Sequence, residues 1–89
     1  MFAIMTVTGI DSTGIIASVS TALAELDVNI LDVSQTLMSG YFTMILRVEF
    51  DEAKTSLAEI RAALEPVEKQ KQQVIRIQSE ALFTAMNEI

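Results

Sequence analysis

From Tyr41 to Phe50 the chain alternates strictly, with Phe42, Met44, Leu46, Val48 and Phe50 on one side and Arg47 and Glu49 on the other. Successive side chains of a β-strand point to opposite faces, so this pattern predicts a strand with one buried face and one open face. Ser39-Gly40 stands immediately before it. Asn29 to Met38, before that turn, reads as a second strand with polar residues at the alternate positions Asp32, Ser34 and Thr36. Strand patterns joined by a Ser-Gly link signal an antiparallel hairpin.

The flanking segments complete the pattern. Phe2 to Thr8 is rich in apolar and β-branched residues and reads as a first strand that stops at Gly9. A helix over roughly residues 13–26 follows, with Asp11 and Ser12 as candidate N-caps and an apolar stripe through Ile15 or Ile16, Val19, Leu23 and Leu26. After the hairpin, Ser56 and Glu59 have capping-box spacing, and Leu57, Ile60, Leu64 and Val67 form the stripe of a second helix. Pro66 interrupts that stripe, which predicts a kink or an early end. A charged stretch from Glu68 to Gln73 then leads to a strand over Val74 to Gln78. The last segment, Ala81 to Ile89, carries Leu82, Ala85, Met86 and Ile89 on one side.

The order βαββαβ with right-handed crossovers predicts an α+β, ferredoxin-like sandwich: a four-stranded antiparallel sheet with two helices on one face, plus a short C-terminal helix. The expected organisation is a single domain over 1–89, with a core of 1–79 and a helical tail of 80–89. Tyr41, Ile45, Arg47 and Glu49 fall on the face away from the helices, which should be polar if water covers it. Apolar residues there, and an amphipathic tail without an obvious burial site, point to a homodimer; the alternative is a tail folded back on its own sheet.

Composition removes several function classes. The net charge of −6 opposes nucleic-acid binding, which needs a basic surface. With no Cys and no His, the chain has no thiol or imidazole for a zinc site, a disulfide or imidazole-based catalysis. No basic-then-apolar leader and no long apolar run is visible, so the expected setting is cytoplasmic, without membrane insertion. Neither a metal nor a cofactor is expected.

What remains is the junction Val7-Thr8-Gly9-Ile10-Asp11-Ser12-Thr13-Gly14-Ile15, a strand end, a polar turn and a helix start. Gly9 and Gly14 have the spacing of a phosphate loop, but Ile15 and Ile16 stand where that loop needs Lys and Ser or Thr. Carboxylates, hydroxyls and amines are present without a spacing that pairs a nucleophile with a base. The helix N-terminus itself presents backbone donors, which suit a carboxylate or phosphate. Asp11, Ser12 and Thr13 are equally at home as plain turn and cap residues.

That junction, together with Leu26 and Asn29-Ile30-Leu31-Asp32, resembles the ACT domain, a small regulatory module that typically binds amino acids. The likeness is greatest to short, stand-alone bacterial ACT proteins, and extends to the ACT halves of glycine-cleavage-type repressors. Gln78-Ser79-Glu80 and Phe83-Thr84-Ala85-Met86 match the tail of the short proteins. The resemblance covers essentially the whole chain. It implies a side-by-side dimer with the ligand at the interface, where Asp11, Ser12, Thr13, Gly14 and Ile15 line one side and Asn29, Ile30 and Leu31 of a second subunit the other. Ser12 stands where the wider family often carries a basic residue.

In that pocket the N–H groups of Thr13 to Ile15 would hold an α-carboxylate, and Gly14 would permit close approach. Asp11 or Asp32 would take the α-ammonium, and the Asn29 amide can both donate and accept. The expected function is a non-enzymatic regulatory module that binds an amino acid and acts on a protein target in trans. The alternative is a ligand-free assembly domain on the same fold.

Overall fold

The computed structural model describes residues 1–87, and the side chains of all of these except Met38, Phe83, Ala85, Met86 and Asn87. In chain order the elements are β1 (Phe2–Ile10), α1 (Ile15–Glu25), β2 (Asn29–Met38), β3 (Tyr41–Glu49), α2 (Leu57–Lys71), β4 (Gln73–Ser79) and α3 (Glu80–Asn87). The four strands form one antiparallel sheet in the order β2-β3-β1-β4. This is the expected ferredoxin-like sandwich with a short C-terminal helix.

The alternation in β3 does what its period dictates. Phe42, Met44, Leu46, Val48 and the following Phe50 are buried, together with Ala3, Met5 and Val7 of β1. Ile15, Val19 and Leu23 of α1 and Ile60, Leu64 and Val67 of α2 close over them. The β2–β3 link is a tight turn in which Ser39 and Gly40 both have positive φ, 52° and 82°. That is the backbone handedness that matches a hairpin's twist.

Four boundaries differ from the sequence expectation, each for a local reason. β1 does not stop at Gly9 but runs through it to Ile10, with Gly9 paired to both Phe42 and Gln73. Glycine is there for space: a Cβ would lie 2.7 Å from the Gln72 carbonyl oxygen and 2.8 Å from the Gln73 side chain. α1 begins at Ile15, two residues later than expected, and its N-cap is Gly14 in the left-handed region, with no side-chain cap from Asp11 or Ser12.

At Pro66 α2 neither ends nor breaks; it continues to Lys71. Proline removes the bond to the Ala62 carbonyl, but both residues are exposed, so water can satisfy that oxygen. Ile60, Leu64 and Val67 bury the helix on both sides of the proline. The supposed charged linker is therefore mostly helix. β4 follows at once, entered through Gln72 at φ 55°.

The expected cap at Ser56 is present, its Oγ accepting from the Glu59 N–H at 3.1 Å. α3 turns back onto the open face of its own sheet, against β1 and β4. Ile89 and the side chains of Phe83, Ala85 and Met86, assigned to the tail's apolar side and family motif, lie outside what is described. Arg47 Nε donates to Glu80 Oε1 at 2.7 Å, and the Arg47 guanidinium sits 4.6 Å from the Phe2 ring centre.

Two measurements test these contacts. Gly9→Ala forces backbone to move, so denaturant unfolding should show a loss of about 1–3 kcal/mol, the range for overpacking. The Arg47 hydrogen bond holds the Glu80 carboxyl below its ordinary value. A lowered carboxylate stabilises fully above its unfolded pKa and loses that contribution as pH falls through the folded one. Hydrogen exchange of α3 amides, corrected for intrinsic rates, should stay constant from neutral pH to about pH 5 and accelerate below about pH 4.

Candidate functional site

The junction between β1 and α1 lies at the end of the sheet where Ile10 pairs with Tyr41. Asp11 leaves the strand with its N–H donating to the Gly40 carbonyl at 2.9 Å, which ties the turn to the β2–β3 hairpin. Asp11, Ser12 and Thr13 are exposed and Gly14 is half-buried. Gly14 has φ 85°, a conformation that L side chains rarely adopt. The first helical bond recorded at this end runs from the Ser18 N–H to the Gly14 carbonyl at 2.9 Å. The preceding N–H groups of an α-helix have no intrahelical acceptor. Among the described residues no side chain caps them, and no acidic residue occupies the first turn.

One positive group stands at this helix start. Lys71 Nζ donates to the Thr13 carbonyl at 2.9 Å and lies 3.3 Å from where a Gly14 Cβ would be. Sequence reading missed it, because Lys71 lies in a stretch read as a charged linker beyond a helix-breaking proline. The signal was there in part: Lys69 and Lys71 close the helix if the stripe is carried through Pro66. Next to it, Gln73 is buried, and its Nε2 donates to the carbonyls of Ile10 at 2.7 Å and Lys71 at 3.1 Å. The end of α2 thus holds both sides of the turn.

The other expected site residues are elsewhere. Asn29 pairs with Glu49 and Ile30 with Val48, at the opposite end of β3 from Tyr41. Eight residues of strand separate the two ends, roughly 27 Å at about 3.4 Å per residue. One chain therefore does not bring Asp11–Ile15 together with Asn29–Leu31. Leu31 is the extra residue of a β-bulge between Ile30 and Asp32, and it is exposed. Ile30 packs against the core, and Ile15 is buried within it, so of Ile15 only the backbone faces the turn. Asp32 is opposite Arg47 on the sheet's open face, away from the helix start, which leaves Asp11 as the carboxylate at the turn.

The two edges of the sheet differ. Along β4, Glu68 Oε2 accepts from the Ile75 N–H at 2.9 Å and an Arg61 Nη donates to the Ile77 carbonyl at 3.1 Å. These α2 side chains occupy backbone groups that another strand would need. A groove of about 810 Å³ between α2 and β4 is walled in part by the same two residues. Among the described residues β2 has only β3 as a strand neighbour, and it exposes Val33 and Leu37 beside its free edge. Among the described residues no cluster of carboxylates could hold a metal ion, and no described helix is long and apolar enough to cross a membrane.

The model of the ACT domain matches residues 1–78, which runs from before β1 to the last residue but one of β4 and leaves out the tail. The chain belongs to the ACT domain family. A UPF0237 protein of Corynebacterium glutamicum is 67% identical over 89 residues, the whole of both chains. An ACT domain protein from Streptococcus pneumoniae superposes with a TM-score of 0.80 at 44% identity, covering 93% of each chain. The regulatory subunit of aspartate kinase from Thermus thermophilus, in its ligand-free form, superposes with a TM-score of 0.70 at 28% identity, over 86% of this chain and 50% of the other.

In this ACT domain the asymmetry of the edges is directly testable. The double variant Arg61→Ala, Glu68→Ala should lose about 1–2 kcal/mol of stability. It should also self-associate more readily as concentration rises, because β4 becomes an open edge. Light scattering on the folded protein indistinguishable from wild type would contradict that role.

Proposed function

We propose that this ACT domain is a non-enzymatic regulatory module that binds a free amino acid between two copies of the chain and acts on a protein target in trans. The ligand's α-carboxylate meets the N–H groups of α1's first turn together with Lys71 Nζ, and its α-ammonium meets Asp11. Asn29 of the partner subunit, with Ile30 and Leu31 around it, forms the opposite wall. The observation that carries this reading is the start of α1, an uncapped helix N-terminus with a lysine ammonium beside it on a chain of net charge −6. Both groups favour an anion, and the dipole and the charge act in the same direction. Lys71 supplies the basic group absent at Ser12.

The separation of the two halves of the site supports the shared pocket. Antiparallel pairing of β2 with β2 of a second copy reverses the strand, so the Asn29 end of one subunit comes to the Asp11 end of the other. The open edge at β2 and the side-chain bonds along β4 favour that edge over the other. The family membership and the regulatory role of the aspartate kinase subunit agree with a sensing function. The cysteine-free composition suits a reducing, cytoplasmic setting.

Calorimetric titration with each of the twenty amino acids should reveal at least one saturable binder. Lys71→Met should weaken that binder about tenfold, the loss expected for one charge-assisted hydrogen bond, while leaving the far-UV spectrum unchanged. Silence across the whole panel from a correctly folded protein would overturn the reading.

A further inference from the structure

Charge is unevenly placed along this acidic chain. Four of its six basic residues, Arg61, Lys69, Lys71 and Arg76, fall within residues 61–76, a stretch holding only two of the twelve acidic ones, Glu65 and Glu68. That stretch carries two positive charges in excess, and the rest of the chain eight negative ones. It builds most of α2 and of β4. The groove of about 810 Å³ lies between those two elements and has Arg61, Lys69 and Arg76 among its lining residues.

The carboxylates of the groove are already engaged. Glu68 Oε2 accepts from the Ile75 N–H, and Glu65 faces Lys69 one turn along the helix at 3.2 Å. Both members of the second pair are exposed, and such a pair opens readily in water. Arg61 gives an Nη to the Ile77 carbonyl, which fixes the guanidinium at the strand. A guanidinium has further N–H donors to offer beyond that one bond. Neither Arg61 nor Arg76 makes an ion pair among the described residues, and both are exposed.

We propose that this groove docks an extended acidic segment of the target protein, its carboxylates received by Arg61 and Arg76 and, further along α2, by Lys69. Spacing favours successive carboxylates of one chain over a single small anion. Lys69 stands eight residues beyond Arg61, about 12 Å along a helix. β4 lines the groove from Gln73 to Gln78, about 17 Å of strand, the length of about six extended residues. Glu68 and Arg61 occupy outer backbone groups of β4, so the segment is held through its side chains and not as a further strand. Arginine forks match carboxylates, and a local positive excess on a chain of net charge −6 steers an acidic partner to this face alone. The proposal rests on the reading that the chain acts on a protein in trans. It does not depend on amino-acid binding.

Fluorescence anisotropy of a labelled hexaglutamate peptide at low ionic strength, with amide chemical shifts of the full chain, tests it. Hexaglutamate should bind saturably, shift amides within residues 61–78 and be released as salt rises. Arg61→Gln, which keeps a donor for the Ile77 carbonyl, and Arg76→Gln should each weaken binding about tenfold, with circular dichroism unchanged. No binding of hexaglutamate, or equal binding of hexalysine, would overturn the proposal. Displacement of the peptide by equimolar inorganic phosphate would overturn it in favour of a free-anion site. Shifts confined to residues 11–16 would overturn it too, by placing the carboxylates at the start of α1. Silence of the amino-acid panel beside saturable hexaglutamate binding would contradict the amino-acid reading and support the groove.

Discussion

The position of α1's first turn depends on a joint made at the far end of α2. Lys71 reaches across 58 residues of sequence to the Thr13 carbonyl, and Gln73, from a buried position, holds the Ile10 carbonyl. Without that joint the segment from Asp11 to Gly14 would be tied mainly by the single bond from Asp11 to Gly40. The joint exists because α2 continues past Pro66. Its buried stripe on both sides of the proline outweighs one lost backbone bond whose carbonyl is left in water. Gly9 completes the arrangement, since any side chain there would collide with the start of β4.

The same helix sets the fate of one sheet edge. Glu68 and Arg61 bond the backbone of β4 at Ile75 and Ile77, which makes that strand a poor template for a further one. Among the described residues no such device stands on β2, where the edge is instead flanked by Val33 and Leu37. α3, meanwhile, closes one end of the open face. An ACT domain of this size has a modest core, and the apolar residues of both remaining surfaces stay exposed in the single chain.

The architecture was legible because its main signals are periodic. The alternation of Phe42 to Phe50 and the stripes through Ile15 or Ile16, Val19, Leu23 and Leu26 and through Leu57, Ile60, Leu64 and Val67 pointed to the packed faces, with Ile15 and not Ile16 buried and Leu26 and Leu57 at the margin of the core. The errors occurred where a local rule met a tertiary one. Gly9 reads as a strand end, yet it lies inside a strand because of what passes over it. Pro66 reads as a breaker, yet packing overrides it. Asp11 and Ser12 read as caps, whereas a glycine in the left-handed region takes that place.

The candidate site was legible as a turn but not as an arrangement. Asp11 to Gly14 were recognised from their pattern, while Lys71 was hidden by the reading of Pro66. Asn29 to Leu31 belong to the site only if a second chain supplies them, since roughly 27 Å of strand lies between the halves. Mixing two disabled subunits tests that claim most directly. Gly14→Val alters the turn, Asn29→Ala alters the opposite wall, and each homodimer should bind no amino acid detectably. When the two are mixed in equal amounts and allowed to exchange, random pairing makes half of the dimers heterodimers, each with one wild-type site. Calorimetry should then recover about one quarter of the wild-type sites at wild-type affinity. Failure to recover any binding, from subunits shown to exchange, would contradict a site shared between chains.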